Sequence, residues 1–314
     1  MLPFVVRNQA HVTRLITLAC LLIAADASAQ SPPVTVAMID GEPITAAEVE
    51  RELAAAYPNR KLEGSERLAL LARARDQVID RRLALRRLAR QGEAATSADV
   101  DHALARLEKQ VTDQGQNLAE HYERLGITRD AVRQTLLWQL SWQAYLARHL
   151  TDDNLAKYFE RNRRDFDGTE LKVAHILLKA DGDDSAARAL ATKEAEALRA
   201  QITGSKLSFA DAARQHSSGP SAKAGGDIGW IARREPMPET FSAAAFALKP
   251  GDVSPPVETT FGIHLIQVLE VKPGTKTWQE AADRLKPAAT LFLFRRLAEQ
   301  ERMTTKVERM ESWP

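Results

Sequence analysis

Two histidines set in apolar, strand-like runs are the first residues of this sequence that invite a chemical reading. His175 stands in Val173-Ala174-His175-Ile176-Leu177-Leu178, and His264 in Phe261-Gly262-Ile263-His264-Leu265-Ile266-Gln267-Val268. Between them lies a glycine-rich run, Ser221-Ala222-Lys223-Ala224-Gly225-Gly226-Asp227-Ile228-Gly229-Trp230. Several chemistries fail on spacing alone. Two histidines lacking helical i, i+4 spacing and a carboxylate make no zinc motif, so no metal is expected, nor any other cofactor. The glycine run lacks the strand–GxGxxG–helix context of a dinucleotide site and the Gly-Lys-Ser/Thr of a phosphate loop. Ser218, His264 and Asp227 form a hydrolytic triad on paper only, because no nucleophile elbow surrounds Ser218.

The elements that must position these residues follow from periodicity. Val34 to Ile39 alternates as a strand does, and Asp40-Gly41 is a turn signal. Thr45 with Glu48 three residues on is a capping box. A long amphipathic helix is expected from Ser65 to Gln91, ended by Gly92. Helices are expected near Ser97–Gly115, Ala119–Leu125, Arg129–Leu150 and Asp152–Asn162, with Thr128 and Thr151 at cap positions. Near Gly168 the pattern changes, and strands alternate with helices until Val271. Lys272-Pro273-Gly274 marks a boundary before a last helix, Trp278 to Met303, and a possible strand over Thr304 to Glu308. That helix carries Leu285, Leu291, Phe292, Phe294 and Leu297, more apolar surface than the α/β insert needs, so it is expected to pack on the N-terminal helices.

Composition bounds the setting. The 314 residues exceed the usual single-domain length, and 44% hydrophobic with 27% charged residues is ordinary for a globular protein. Arg7 and Arg14, an apolar run from Leu15 to Ala25 and the small residues Ala27-Ser28-Ala29 read as a secretory signal over 1–29. The run is shorter than the roughly 20 apolar residues a membrane span requires, so no stable membrane span is expected. Cys20 offers a lipoprotein alternative in a poor lipobox. Removing the leader leaves 41 basic and 41 acidic residues and no cysteine. Such a chain has no field for nucleic acid and no thiol chemistry. A bacterial extracytoplasmic space, the periplasm foremost, is the expected destination.

The three stretches, in this order and spacing, resemble the parvulin family of peptidyl-prolyl isomerases. The residues between them extend the likeness: an Ala- and Glu-rich helix over Ser185–Ile202, Phe209-Ala210-Asp211-Ala212-Ala213, Met237, Phe241, Phe246-Ala247-Leu248, Gly251, Ser254, Pro256-Val257 and Thr259. The resemblance covers about 100 residues. It implies an α+β fold: a parvulin domain, a four-stranded antiparallel sheet with surrounding helices, inserted between the N- and C-terminal segments of a mostly helical chaperone-like domain. The divisions are then 1–29 signal, 30–168 helical domain, 169–272 parvulin domain, and 273–314 a C-terminal helix and strand returning to the helical domain. Val36 to Thr45, Tyr158-Phe159 and Phe166 resemble the SurA- and PrsA-type extracytoplasmic foldases, and the overall layout resembles the EpsD-type proteins of exopolysaccharide systems.

Family residues carry over position by position. His175 and His264 match the paired histidines, facing each other across adjacent strands, with Thr259 joining their network. Met237 and Phe241 match the apolar proline pocket, with Ile228 nearby; Phe246 reads as core. The position that carries Cys or Asp in parvulins falls on Gly219, with Ser218 adjacent as a substitute, and Phe261 replaces a small polar residue. The implied activity is rotation of X-Pro bonds in unfolded or partly folded exported polypeptides. Phosphorylated substrates are not expected, because the loop Lys179-Ala180-Asp181-Gly182-Asp183-Asp184 is acidic. The alternative is a catalytically weak holdase, or an assembly factor for a polysaccharide secretion system.

Overall fold

The computed structural model describes residues 34–58, 60–180, 184–311 and 313. The expected leader, with Cys20, and Asp181-Gly182-Asp183 of the acidic loop lie outside them. In chain order the elements are β1 (Thr35–Ile39), β2 (Glu42–Thr45), α1 (Ala46–Ala56), α2 (Gly64–Arg90), α3 (Ser97–Asp113), α4 (Leu118–Arg124), α5 (Arg129–His149), α6 (Asp152–Arg161), α7 (Arg163–Phe166), β3 (Glu170–Leu178), α8 (Ser185–Thr203), α9 (Phe209–His216), β4 (Asp227–Ala232), α10 (Glu239–Ala247), β5 (Val257–Thr259), β6 (Gly262–Lys272), α11 (Ala282–Arg302) and β7 (Val307–Arg309). They fall into two compact units. One joins the described residues up to Asn154 with those from Lys286 onward, and the other is Leu155–Leu285.

The first unit takes its residues from both ends of the chain. Its sheet has the order β2-β1-β7, all antiparallel. Asp40 and Gly41 both adopt positive φ, the geometry a two-residue hairpin turn demands. β2 has no signal in the sequence, because four residues including Pro43 carry little periodicity. Thr45 and Glu48 complete the capping box of α1. The buried stripe Leu71, Val78, Ile79 and Leu83 of α2 packs against Val36, Ile39 and Ile44. Further along α2, Ala84 and Leu88 meet Trp142, Tyr145 and Leu146 of α5 and Phe294 and Leu297 of α11. Trp138 and Trp142 stack at 5.5 Å with Phe294 edge-on to both, an arrangement favoured by the ring quadrupoles. Ion pairs fasten the C-terminal segment to α2: Arg90–Glu301 at 3.1 Å, Arg309–Asp76 at 2.9 Å, and Arg302–Asp80. Two expected boundaries move. The last helix is regular only from Ala282, after a turn that Thr277 caps, and the final strand begins at Val307. No described helix is long and apolar enough to cross a membrane.

The second unit holds the four-stranded antiparallel sheet that the resemblance implied, in the order β4-β3-β6-β5. β3 alternates across it. Ala174, Ile176 and Leu178 face α8 and α9, where Ala195, Leu198, Phe209 and Ala213 bury them. Leu171 and Val173 face α10, packing with Phe241, Ala245 and Phe246. Period-two alternation therefore puts His175 on the α10 side. β4 pairs with β3 only as far as Ala174–Asp227. Beyond that point the segment 217–226 covers the strand edge: His175 N–H donates to Gly226 C=O (2.9 Å), Leu177 N–H to Ser217 Oγ (3.1 Å), and Ser218 N–H to Leu177 C=O (2.8 Å). A loop thus occupies the place of a strand beside His175, because its side-chain and backbone groups satisfy that edge.

Candidate active site

His175 and His264 lie diagonally across β3 and β6, where Leu177 opposes His264 and Ile266 opposes His175. Their Nδ1 atoms are 3.1 Å apart. The ring planes are within 18° of parallel with centroids 5.3 Å apart. Combined with the short Nδ1–Nδ1 contact, this joins the rings edge to edge through nitrogen rather than face to face. His264 Nε2 is 2.8 Å from Thr259 Oγ1, and that hydroxyl oxygen also accepts the Phe261 N–H at 3.1 Å. Both histidines and Thr259 are buried. Phe241, fully enclosed at 0% exposure, presents its ring roughly at right angles to both imidazoles, at 5.7 and 5.4 Å. The row His175–His264–Thr259 therefore rests on an aromatic floor.

Burial decides the protonation state. It lowers the pKa of His175, and it lowers that of His264 to about 4, with repulsion from a charged His175 adding to the shift. Both rings are neutral at physiological pH. A neutral pair joined through Nδ1 has one donor and one acceptor there, so the row runs in one of two senses. In one, the Thr259 hydroxyl donates to His264 Nε2, and His175 carries its proton on Nε2. In the other, His264 Nε2–H donates to Thr259, whose hydroxyl turns to Gly262 C=O at 3.4 Å, and His175 Nε2 is bare. Neither sense activates Ser218 as a nucleophile. Asp227 is engaged elsewhere, accepting Gly229 N–H at 2.8 Å, and both His264 nitrogens have partners. The paper triad with Ser218 is not assembled.

The remaining expected residues are distributed around this row. Ile228 and Met237 are half-buried and pack in the cluster that contains Phe241. Phe261 is 62% exposed, although its backbone N–H is tied to Thr259. Ser218 is exposed. Gly219 is buried against His175: a Cβ added there lies 3.3 Å from His175 Nε2 and 3.3 Å from Ser217 Oγ. Gly226 (φ +84°) holds the loop close to β3, since a Cβ there falls 2.5 Å from His175 C=O. Two residues of the site carry no distinguishing signal in the sequence. Ser217, not Ser218, turns its hydroxyl to the β3 edge, accepting Leu177 N–H, and borders Gly219 together with His175 Nε2. Arg188 of α8 donates to Thr259 C=O at 3.3 Å while paired with Glu258. Ser217 adjoins Ser218 and is distinguished from it only by the loop's direction; nothing in sequence marks Arg188.

Comparison with known proteins bears on the same segment. The family described as Rotamase, PPIC-type PPIASE domain, matches residues 175–270. Chaperone SurA of Bordetella parapertussis is 42% identical over 105 residues, covering 32% of this chain and 19% of that protein. Foldase protein PrsA of Bacillus subtilis is 36% identical over 121 residues, covering 38% of this chain and 36% of that protein. The chain thus spans about a fifth of the one relative and about a third of the other. Among solved structures, PrsA of Bacillus anthracis is 20% identical over 73% of this chain and 95% of its own, with a TM-score of 0.33. A PpiC-type isomerase domain is 27% identical over 34% of this chain and 95% of its own, with a TM-score of 0.32. On the family match and the identity of its relatives, this chain carries a PPIC-type parvulin domain over residues 175–270.

Proposed function

We propose that the chain is an exported peptidyl-prolyl cis–trans isomerase and foldase that acts on X-Pro bonds of unfolded extracytoplasmic polypeptides. The observation that carries this reading is the neutral, buried His175–His264–Thr259 row above Phe241, whose apolar cluster Met237 and Ile228 join. Rotation about an X-Pro bond needs no bond to be made or broken; its barrier, about 18–20 kcal/mol, is the loss of amide resonance. Resonance places negative charge on the carbonyl oxygen, and water stabilises it there. A site that removes water from that oxygen and grips the pyrrolidine ring favours the twisted geometry over the planar one. Met237 and Ile228 supply an apolar grip, with Phe241 beneath. The histidines set the polarity of the wall and hold its shape.

The domain division 169–272 within a helical frame, the leader 1–29 and the periplasmic destination belong to the same proposal. The SurA and PrsA names of its relatives support unfolded protein as the client class. Met237→Ala is expected to raise KM about tenfold while changing kcat little, because it removes grip common to ground and transition states. A proline-peptide isomerisation assay at varied substrate concentration reads this split; an unchanged KM takes Met237 out of the pocket.

Gly219 favours a second reading, a holdase that binds proline segments without turnover, since no side chain stands where parvulins carry Cys or Asp. The same assay on residues 30–314 decides between them. The isomerase reading expects a rate clearly above the uncatalysed one. It fails if the natural chain matches the uncatalysed rate while Gly219→Asp turns activity on. The backbone at 219 is not left-handed, so that substitution requires only small shifts at His175 and Ser217.

A further inference from the structure

The hydroxyl of Ser217 has an orientation that the surrounding backbone fixes. Its oxygen accepts two N–H groups, from Leu177 and from Gly219, each at 3.1 Å. Both lone pairs are thereby engaged, and the hydroxyl proton must point away from both donors. Among the described residues it meets no acceptor within hydrogen-bond distance. Ser217 Oγ and His175 Nε2 nevertheless border the same small notch, each 3.3 Å from the point where a side chain at 219 would begin. Gly219 leaves that notch unfilled by the protein.

Ser217 Oγ and His175 Nε2 both border the space beside Gly219; two donors brought together there repel, whereas a donor facing a lone pair attracts it. We propose that Ser217 is a positioning residue that selects the sense of the histidine row. Its hydroxyl favours the tautomer in which His175 Nε2 is bare and its proton sits on Nδ1. The rest of the row follows: His175 Nδ1–H donates to His264 Nδ1, His264 Nε2–H donates to Thr259 Oγ1, and the Thr259 hydroxyl turns to Gly262 C=O. Ser217 thus acts through His175, from the position two residues before the one where other parvulins place a polar side chain.

The consequence for turnover rests on the isomerase reading. A bare Nε2 directs a lone pair at the wall beside Gly219. A lone pair near the carbonyl oxygen of a bound X-Pro bond disfavours the charge-separated resonance form and so the planar ground state. An N–H in the same place would stabilise that form and slow rotation. The absence of Cys or Asp at 219 is then compensated by tautomer selection.

The test is imidazole 15N NMR of the full chain at pH 7.5, which distinguishes protonated from bare ring nitrogens. The expected result is His175 protonated at Nδ1 and His264 at Nε2. Finding the His175 proton on Nε2 in the natural chain overturns the proposal without any variant being made. Ser217→Ala is expected to shift the pair toward the opposite tautomers or a mixture, and Ser217→Thr, which keeps the hydroxyl, to retain the natural ones. If the natural chain turns over, Ser217→Ala is further expected to lower kcat about tenfold, with KM nearly unchanged and Ser217→Thr restoring the rate. An inactive chain with the expected tautomers sinks the isomerase reading and leaves this inference standing. An active chain with the opposite tautomers does the reverse.

Discussion

Phe241→Ala is expected to destabilise the Leu155–Leu285 unit by about 3–5 kcal/mol, the usual cost of deleting a fully enclosed aromatic ring. The ring has no solvent exposure and packs with Leu171, Val173, Ile231, Ile266 and Val268. It also lies edge-on to both histidines, so its removal opens a cavity beneath the site as well as within the core. Activity is expected to fall with stability, because the imidazoles lose the surface that fixes their planes. Urea unfolding followed by a probe in this unit gives the free energy, and Phe241→Leu, which conserves most of the volume, should cost less than about 1.5 kcal/mol. A loss below about 1 kcal/mol for Phe241→Ala would show that the ring is not the floor described above. The result also separates two roles for one residue, since a side chain enclosed at rest supports the pocket from beneath before it touches any substrate.

Acidification is expected to destabilise the same unit through His264. Its folded pKa, about 4, lies below its ordinary value of 6.5. The unfolded chain therefore takes up a proton at higher pH than the folded one. This contribution to stability is complete above pH 6.5 and is lost as pH falls toward 4, on the order of 3 kcal/mol across that window. His175, lowered by burial, adds in the same direction. Urea unfolding at pH 7.5 and 5 should show the loss, and a His264→Asn variant should show a smaller one over the same interval. The ring carbon–proton NMR signal of His264 should not titrate between those values; a midpoint near 6.5 would show that the ring reaches solvent. Turnover should fall with the same protonation, since a charged row draws the carbonyl oxygen toward its planar, charge-separated form.

Much of the second unit was legible before the fold. Period-two alternation around His175 and His264, the Phe209–Ala213 helix and the glycine run are local patterns, and local patterns survive into the structure when they bury the faces they predict. β2 was not legible, being too short, and neither was the start of the last helix, where a capped turn at Thr277 precedes the regular helix at Ala282. The direction of the 217–219 loop was not legible either. Whether Ser217 or Ser218 turns its hydroxyl to the β3 edge depends on which backbone groups of β3 lack a partner, and that is set by where β4 stops pairing, at Asp227. Arg188 reaches Thr259 only because α8 lies over the β5 end of the sheet.

The sequence by itself determined most of the elements and the parvulin pattern, because these rest on residue types and short spacings, and the pairing of the histidines followed from the resemblance alone. Tertiary structure alone decided three things. It paired β7 with β1, residues more than 260 positions apart, by backbone hydrogen bonds that no local signal encodes. It enclosed Phe241, turning an expected pocket wall into a floor. It buried His175 and His264 together, which fixes them as neutral, and set Ser217 Oγ beside the notch at Gly219. Protonation and hydrogen-bond direction depend on the dielectric and on the donors gathered around a group, and these come from distant parts of the chain.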